Sequence, residues 1–354
     1  MWPSTRLTKL LSIEHPIIQA PMAGASSPAM AAAVSNSGGL GSLGCAMFSA
    51  EKYGHEVQAT QSATNRPVNM NFFVHKPPEV NEEKNKTATE QLAPFYDELG
   101  LNEIPPIEPL HFPFDEHMLE AVLAKNLSVV SFHFGLPDNL IVSALKQAGL
   151  IVMSSATSVR EARDLEQRGC DAIIAQGLEA GGHRGTYLSS EEGARIGTMS
   201  LVPQIVDAVE VPVIAAGGIA DGRGIAAAFA LGADGVQIGT AFLNCPESVI
   251  SDTHKRALLH AREDETCLTP VFSGRPARGL NNRYIEQMSP HAHKLPEFPL
   301  MNTLTGPLRK VSAETNSPDF IALWSGQSMT LNRELPASEL FLTLVDEAQT
   351  ILSH

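Results

Sequence analysis

VPVIAAGGIADGRGIAAAFALGADGVQIGTAFL, residues 211–243, decides the fold of this chain. It reads as an apolar strand ending in a Gly217-Gly218 turn, an Ala-rich helix, a second strand, a Gly239-Thr240 turn and the start of another helix. Two strands joined through a helix lie parallel, because the crossover returns the chain to the same end of the sheet. Outward from this stretch the alternation recurs. Apolar runs at residues 16–20, 39–43, 68–73, 129–132, 151–154 and 172–175 precede those at 211–215 and 235–238. Helical runs at 28–36, 138–147, 159–168 and 224–231 supply crossovers. Eight such units in roughly 245 residues match one α/β (β/α)8 TIM barrel, whereas a doubly wound sheet usually has five or six strands.

Two regions interrupt the rhythm. Residues 76–115 are polar and Pro-rich, with Glu82-Glu83-Lys84-Asn85-Lys86 and Pro105-Pro106, and read as an insert after the third strand: a loop with one helix. Beyond the eighth strand, 248–264 reads as helix, and 269–318 is rich in Pro, Asn, His and Arg with weak periodicity. The expected organisation is a barrel over 1–247, a smaller cap subdomain over 248–320 covering one barrel mouth, and a segment 321–354 packing back on the barrel with a last helix at 336–352.

Composition narrows the function. The 354 residues are 43% hydrophobic and 18% charged, enough to bury a large core. A net charge of −14 repels nucleic-acid backbones and anionic membrane surfaces, so neither is an expected partner. The start MWPSTRLTKLLSIEHP lacks a signal-like apolar core, and no later run reaches the roughly 18–20 apolar residues of a membrane span, so the expected location is cytoplasmic. Cys45, Cys170, Cys245 and Cys267 form no CxxC pair and read as reduced thiols; no metal site is expected.

The chemistry is expected at the carboxyl ends of the strands, where barrel active sites lie. The turns at Gly217-Gly218 and Gly239-Thr240 fall where barrels bind phosphate: glycine admits close backbone approach, and free N–H groups at a helix start favour an anion. Tight turns without a ligand are the alternative. GCDAIIAQGLEAGGHRG, residues 169–185, puts Gln176 at the end of the sixth strand and Gly181-Gly182 beyond it; His183 and Arg184 either add a cation or only order the loop. QAPMAG, residues 19–24, offers Met22 to a planar ring or to the core. NMNFF, residues 69–73, places the Asn71 amide near a strand end. SFHFG, residues 131–135, sets His133 at the end of the fourth strand, where an imidazole titrating near neutrality suits proton transfer; a satisfied structural histidine is the competing reading.

Other signals carry less. Gly39, Gly41 and Gly44 have G-x-G-x-x-G spacing, but a helical run precedes them rather than a strand, so they read as the second barrel strand. His291 and His293 sit among prolines without a partner at metal-ligand spacing. No GxSxG or HExxH motif occurs.

Taken in order from about residue 19 to residue 243, QAPMAG, NMNFF, SFHFG, GCDAIIAQGLEAGGHRG and PVIAAGGIADGRG…LGADGVQIGTAFL resemble class I nitronate monooxygenases, with a weaker echo at Trp324-Ser325-Gly326-Gln327. The resemblance implies noncovalent FMN and oxidation of an alkyl nitronate, such as propionate 3-nitronate, by dioxygen without NAD(P)H. It also implies a detoxifying role, and is compatible with a homodimer. By this likeness Met22, Asn71, Gln176, Gly181, Gly218, Gln237, Gly239 and Thr240 match flavin-binding positions and His133 matches the catalytic histidine. Residues 269–318 align with no motif. Two other functions compete: an NAD(P)H-dependent flavin reductase of the enoyl-acyl-carrier-protein reductase or quinone reductase type, and a non-enzymatic flavin sensor. The first needs a basic patch for its acidic carrier, and Arg275, Arg278 and Arg283 are the obvious cluster. The second needs a signalling appendage.

Overall fold

The computed structural model describes residues 1–109, 112–190 and 192–354; positions 110 and 111 of the expected insert, and 191, lie outside them. Eight parallel strands form the barrel: β1 (Ile17–Gln19), β2 (Gly41–Gly44), β3 (Val68–Phe73), β4 (Val129–His133), β5 (Ile151–Ala156), β6 (Ala172–Gln176), β7 (Val213–Ala216) and β8 (Gly235–Ile238). Their spatial order is β1-β8-β7-β6-β5-β4-β3-β2. The ring comes together at a parallel bridge between Ile18 and Leu40, with Gln19 N donating to Leu40 O at 3.0 Å. All eight expected strands are present, including the one read from GGLGSLG.

Strand parity sorts the side chains into two layers. Ile17, Val130, Val152, Ile173, Val213 and Val236 join the core between sheet and helices. Ile18, Val129, Met153, Ala172, Ile174, Ile214 and Ala216 pack in a separate cluster inside the barrel, and Leu7 and Leu11 of the helix Arg6–Leu11 plug its lower end. The same parity turns Asn71, Ser131, His133, Ser155, Gln176 and Gln237 inward, above that apolar plug.

Helices start where a side chain can satisfy their unpaired N–H groups: Ser27, Ser49, Asp115, Ser158 and Asp221 each cap one. After β8 only a short turn, Thr240–Phe242, follows directly. The helix Ala337–Leu352 packs against both Gly222–Ala230 and Pro28–Asn36 and so completes the helical layer between them.

The expected helix over 248–264 is shorter, Asp252–His260; Ser251 caps its start and the chain turns extended at Ala261, leading to a strand Thr266–Thr269. The weakly periodic stretch 269–318 contains a strand Ala277–Leu280 and helices Arg283–Met288 and Leu300–Glu314. Gly306 and Pro307 inside the last of these broke its sequence pattern. The insert helix Glu82–Glu98 contributes Ala88, Leu92, Phe95 and Tyr96 to a second core with Phe272, Tyr284, Met301, Leu304 and Phe320. Insert and C-terminal region thus share one apolar interior beside the barrel. A three-stranded antiparallel sheet ties this region to the barrel: Thr266–Thr269 pairs with Ala277–Leu280, which pairs with Gly182–His183 in the loop after β6.

Among the described residues the four cysteines are unpaired, no cluster could hold a metal ion, and no helix is long and apolar enough to cross a membrane.

Candidate active site

The inward polar side chains form the floor of the upper barrel mouth. Asn71 Nδ2 donates to Ser131 Oγ at 2.9 Å. His133 lies between Ser155 Oγ, 2.6 Å from Nδ1, and the carbonyl of His183, 3.1 Å from Nε2. A carbonyl only accepts, so Nε2 carries the ring proton and Nδ1 accepts from the Ser155 hydroxyl. Gln176 is clamped to the same loop: its Nε2 donates to His183 O at 2.9 Å, and its Oε1 accepts from Gly185 N at 2.8 Å.

The His183 ring stands above this floor. Its Nε2 is 2.9 Å from Ser273 Oγ, and the single Ser273 hydroxyl proton goes to Arg275 O, so His183 Nε2 is the donor. Its Nδ1 has no hydrogen-bond partner among the described residues. Phe73, Phe134, Phe298 and Trp324 surround it, with ring centroids 6.2, 6.2, 5.4 and 5.6 Å away. The Arg275 guanidinium lies over Phe134 at 3.9 Å and donates to the Thr186 carbonyl.

Electrostatics keep both imidazoles neutral. Burial pushes the His133 pKa down to about 3; the His183 carbonyl opposes that, and the charges of Arg275 and Arg184 reinforce it. Burial also lowers His183 to about 3, with His133, Arg275, Arg309 and His75 adding to the effect. The titration near neutrality that SFHFG suggests is therefore displaced to acid. Arg184 takes the loop-ordering role: it is buried and donates to the carbonyls of Gly177, Gln176 and Ala194 at 2.6, 3.0 and 3.0 Å.

The glycine turns gather on the opposite side of the mouth. Gly217 and Gly218 have φ of +111° and +73°, a backbone that favours glycine. Segment 325–328 laces the three loops after β6, β7 and β8 together. Gly326 N donates to Thr240 Oγ1 at 2.9 Å, Gln327 N to Glu179 O at 3.0 Å, and Ser328 Oγ to Gly218 O at 2.8 Å. The Gly326 backbone fills the room left by Gly181, where a Cβ would lie 2.5 Å from Gly326 N, so this glycine serves packing within the protein. Gly239 differs: a Cβ there meets only Ala20 at 3.4 Å and the Met22 sulfur at 3.7 Å. Nearby, Gln237 Oε1 is buried with no hydrogen-bond partner among the described residues.

All nine residues singled out in the sequence lie in the carboxyl-terminal halves of barrel strands or in the loops beyond them. His133 and Gln176 share the His183 carbonyl, while Thr240, Gly218 and Gly181 share segment 325–328. Ser155, Gly185 and Phe298 were not singled out, and Phe73, Phe134 and Trp324 lay inside quoted motifs without a role assigned to them. Parity along β5 could have flagged Ser155; Phe298 comes from a region with no readable period. The three arginines offered as a docking patch do not form one: Arg278 is buried and donates to Leu178 O and Thr266 Oγ1, and Arg283 pairs with Glu98 at 2.6 Å.

Comparison with known proteins adds to this geometry. A family profile described as nitronate monooxygenase matches residues 4–347. A Staphylococcus aureus (strain Newman) protein named "Probable nitronate monooxygenase" is 41% identical over 355 residues, covering all of both chains. A solved structure of nitroalkane oxidase from Streptomyces ansochromogenes superposes with a TM-score of 0.91 at 40% identity, covering 98% of this chain and 99% of that one. FabK from Thermotoga maritima is more distant, with a TM-score of 0.75 at 28% identity over 100% of this chain and 98% of that one.

Proposed function

Because this chain belongs to the nitronate monooxygenase family of oxidoreductases, we propose that it oxidises alkyl nitronates, such as propionate 3-nitronate, with dioxygen on a bound FMN. The products are a carbonyl compound and nitrite or nitrate, NAD(P)H is not consumed, and the reaction takes place in the cytoplasm. The observation that carries this reading is the mouth itself, where two neutral imidazoles stand against an aromatic wall. Neutral imidazoles can hold the nitro oxygens of a nitronate or receive a carbon-bound proton.

The residues present fit a flavin. Gln237 supplies an acceptor with no partner among the described residues, a Cβ at Gly239 would make only ordinary contacts, with Ala20 and the Met22 sulfur, and left-handed glycines lie in the loop after β7. Met22, Asn71, Gln176, Gly181, Gly218, Gln237, Gly239 and Thr240 are the residues we assign to holding it, with Gly181 acting through its packing on Gly326. A single phosphate cradle supports FMN rather than FAD. When bound, the flavin supplies a two-electron acceptor that dioxygen can reoxidise.

His133 is the proposed base for neutral nitroalkanes, taking a proton at Nδ1 as the Ser155 hydroxyl turns away. One observation favours a second assignment: His183 Nδ1 has no hydrogen-bond partner among the described residues, whereas both nitrogens of His133 are engaged. The internal engagement of Arg275, Arg278 and Arg283 weighs against docking of an acidic carrier. Oxygen uptake measured with propionate 3-nitronate, with and without NADPH, tests the function. Uptake that needs only the nitronate is expected; uptake that appears only with NADPH would assign the chain to the reductases.

A further inference from the structure

Glu161 has no part in the chemistry proposed above, yet it is a fully buried carboxylate. It stands in the first turn of the helix Val159–Gln167, three residues after the capping Ser158. A glutamate there ordinarily reaches back to the cap residue's own N–H. Here it does something else. Its Oε2 accepts from Thr157 N and Thr157 Oγ1, both at 2.7 Å. Its Oε1 accepts from three consecutive backbone N–H groups of a distant loop, Tyr187, Leu188 and Ser189, at 2.9, 3.1 and 3.2 Å. Five donors converge on one carboxylate, three of them from the loop after β6.

The near end of that loop is part of the site. Gly185 N holds the Gln176 amide, and Gly185 packs so tightly that a Cβ would lie 2.6 Å from Ser155 Oγ and 2.9 Å from Cε1 of His133. Thr186 O receives the Arg275 guanidinium. A second link runs beside the backbone: Thr157 gives its hydroxyl proton to Glu161, so Thr186 Oγ1 must donate to Thr157 Oγ1 across 2.9 Å. We propose that Glu161 is a positioning residue of the active site, fixing loop 185–189 so that Gly185, through the Gln176 amide, keeps the His183 carbonyl on Nε2 of His133 and so holds His133 in one tautomer. The proposal rests on the reading of the His133 mouth as the active site. Charge-assisted bonds from backbone N–H groups are among the stronger ones available, and replacing the carboxylate by an amide turns one acceptor end into a donor facing other donors.

The test uses Glu161→Gln, with 15N-labelled histidine in the flavin-loaded protein and His133→Asn to assign the His133 signals. In the parent protein at pH 7, His133 should give one protonated and one unprotonated nitrogen signal. In Glu161→Gln the two signals should move toward each other as the tautomers mix, and kcat with nitronate should fall at least about fivefold at unchanged flavin content. Thr157→Val, which keeps the backbone N–H and the β-branch but removes the hydroxyl relay, should shift both readouts in the same direction by less. It also stands in if Glu161→Gln fails to fold. Tyr187→Phe leaves the carboxylate's donors intact and should leave the His133 signals in place. Unmoved His133 signals in Glu161→Gln, or in Thr157→Val where only that variant folds, would overturn the proposal. The imidazole signals need no turnover, so this failure is separable from failure of the proposed reaction.

Discussion

His133 donates its ring proton to the carbonyl of a second histidine, and that arrangement sets its pH behaviour. A pKa lowered to about 3 means the proton is lost at strongly acid pH, so the neutral form, a weaker base than an ordinary imidazole, is present throughout pH 5–9. Turnover of a neutral nitroalkane should therefore show no rising limb near pH 6.5 from His133. A limb centred there in initial rates would mean that the working imidazole is solvated in a way this mouth does not provide. His133→Asn should lower nitroalkane turnover by on the order of 10² to 10⁴, a general-base factor, and affect preformed nitronate less, since that substrate has already lost its carbon-bound proton. His183→Asn is the companion measurement, because it keeps the carbonyl that anchors His133. A large nitroalkane loss in His183→Asn with a mild one in His133→Asn would transfer the base role to His183. Equal losses on both substrates in His133→Asn would make that residue a binding group.

The loops after β6, β7 and β8 were legible in the sequence because glycines mark them: Gly218 and Gly239 fall just beyond barrel strands, and Gly181 lies farther along the loop after β6. What each glycine does was not legible. Gly181 makes room for Gly326, a contact between residues far apart in the chain, whereas Gly239 has only ordinary contacts around its missing side chain. Its φ of −109° also suits any residue, so a substitution at 239 reads ligand approach rather than backbone strain. Gly239→Val should fold normally and bind FMN at least about tenfold more weakly, a loss of ~1.4 kcal/mol or more. Fluorescence titration of FMN into the flavin-free protein measures this. Unchanged affinity in a folded variant would move the phosphate away from the β8 loop.

At the scale of the whole molecule, the barrel was readable because its strands are short apolar runs separated by amphipathic or Ala-rich helices, a local signal repeated eight times. The second core was not. The helix Glu82–Glu98 buries its apolar face against Phe272, Tyr284 and Phe320, and no local pattern in either segment announces that pairing. Nor did the sequence reveal that Phe298 and Trp324 would reach over the mouth to enclose His183. These long-range contacts separate a bare barrel from one with a walled mouth, and the central claim is that the wall serves a nitronate as electron donor. Anaerobic mixing of the flavin-loaded protein with propionate 3-nitronate, and separately with NADPH, tests that claim most directly. Rapid loss of the flavin absorbance near 450 nm (roughly the usual oxidised-flavin band) with the nitronate, and none with NADPH on the same timescale, is the predicted result; bleaching by NADPH and not by the nitronate would contradict it.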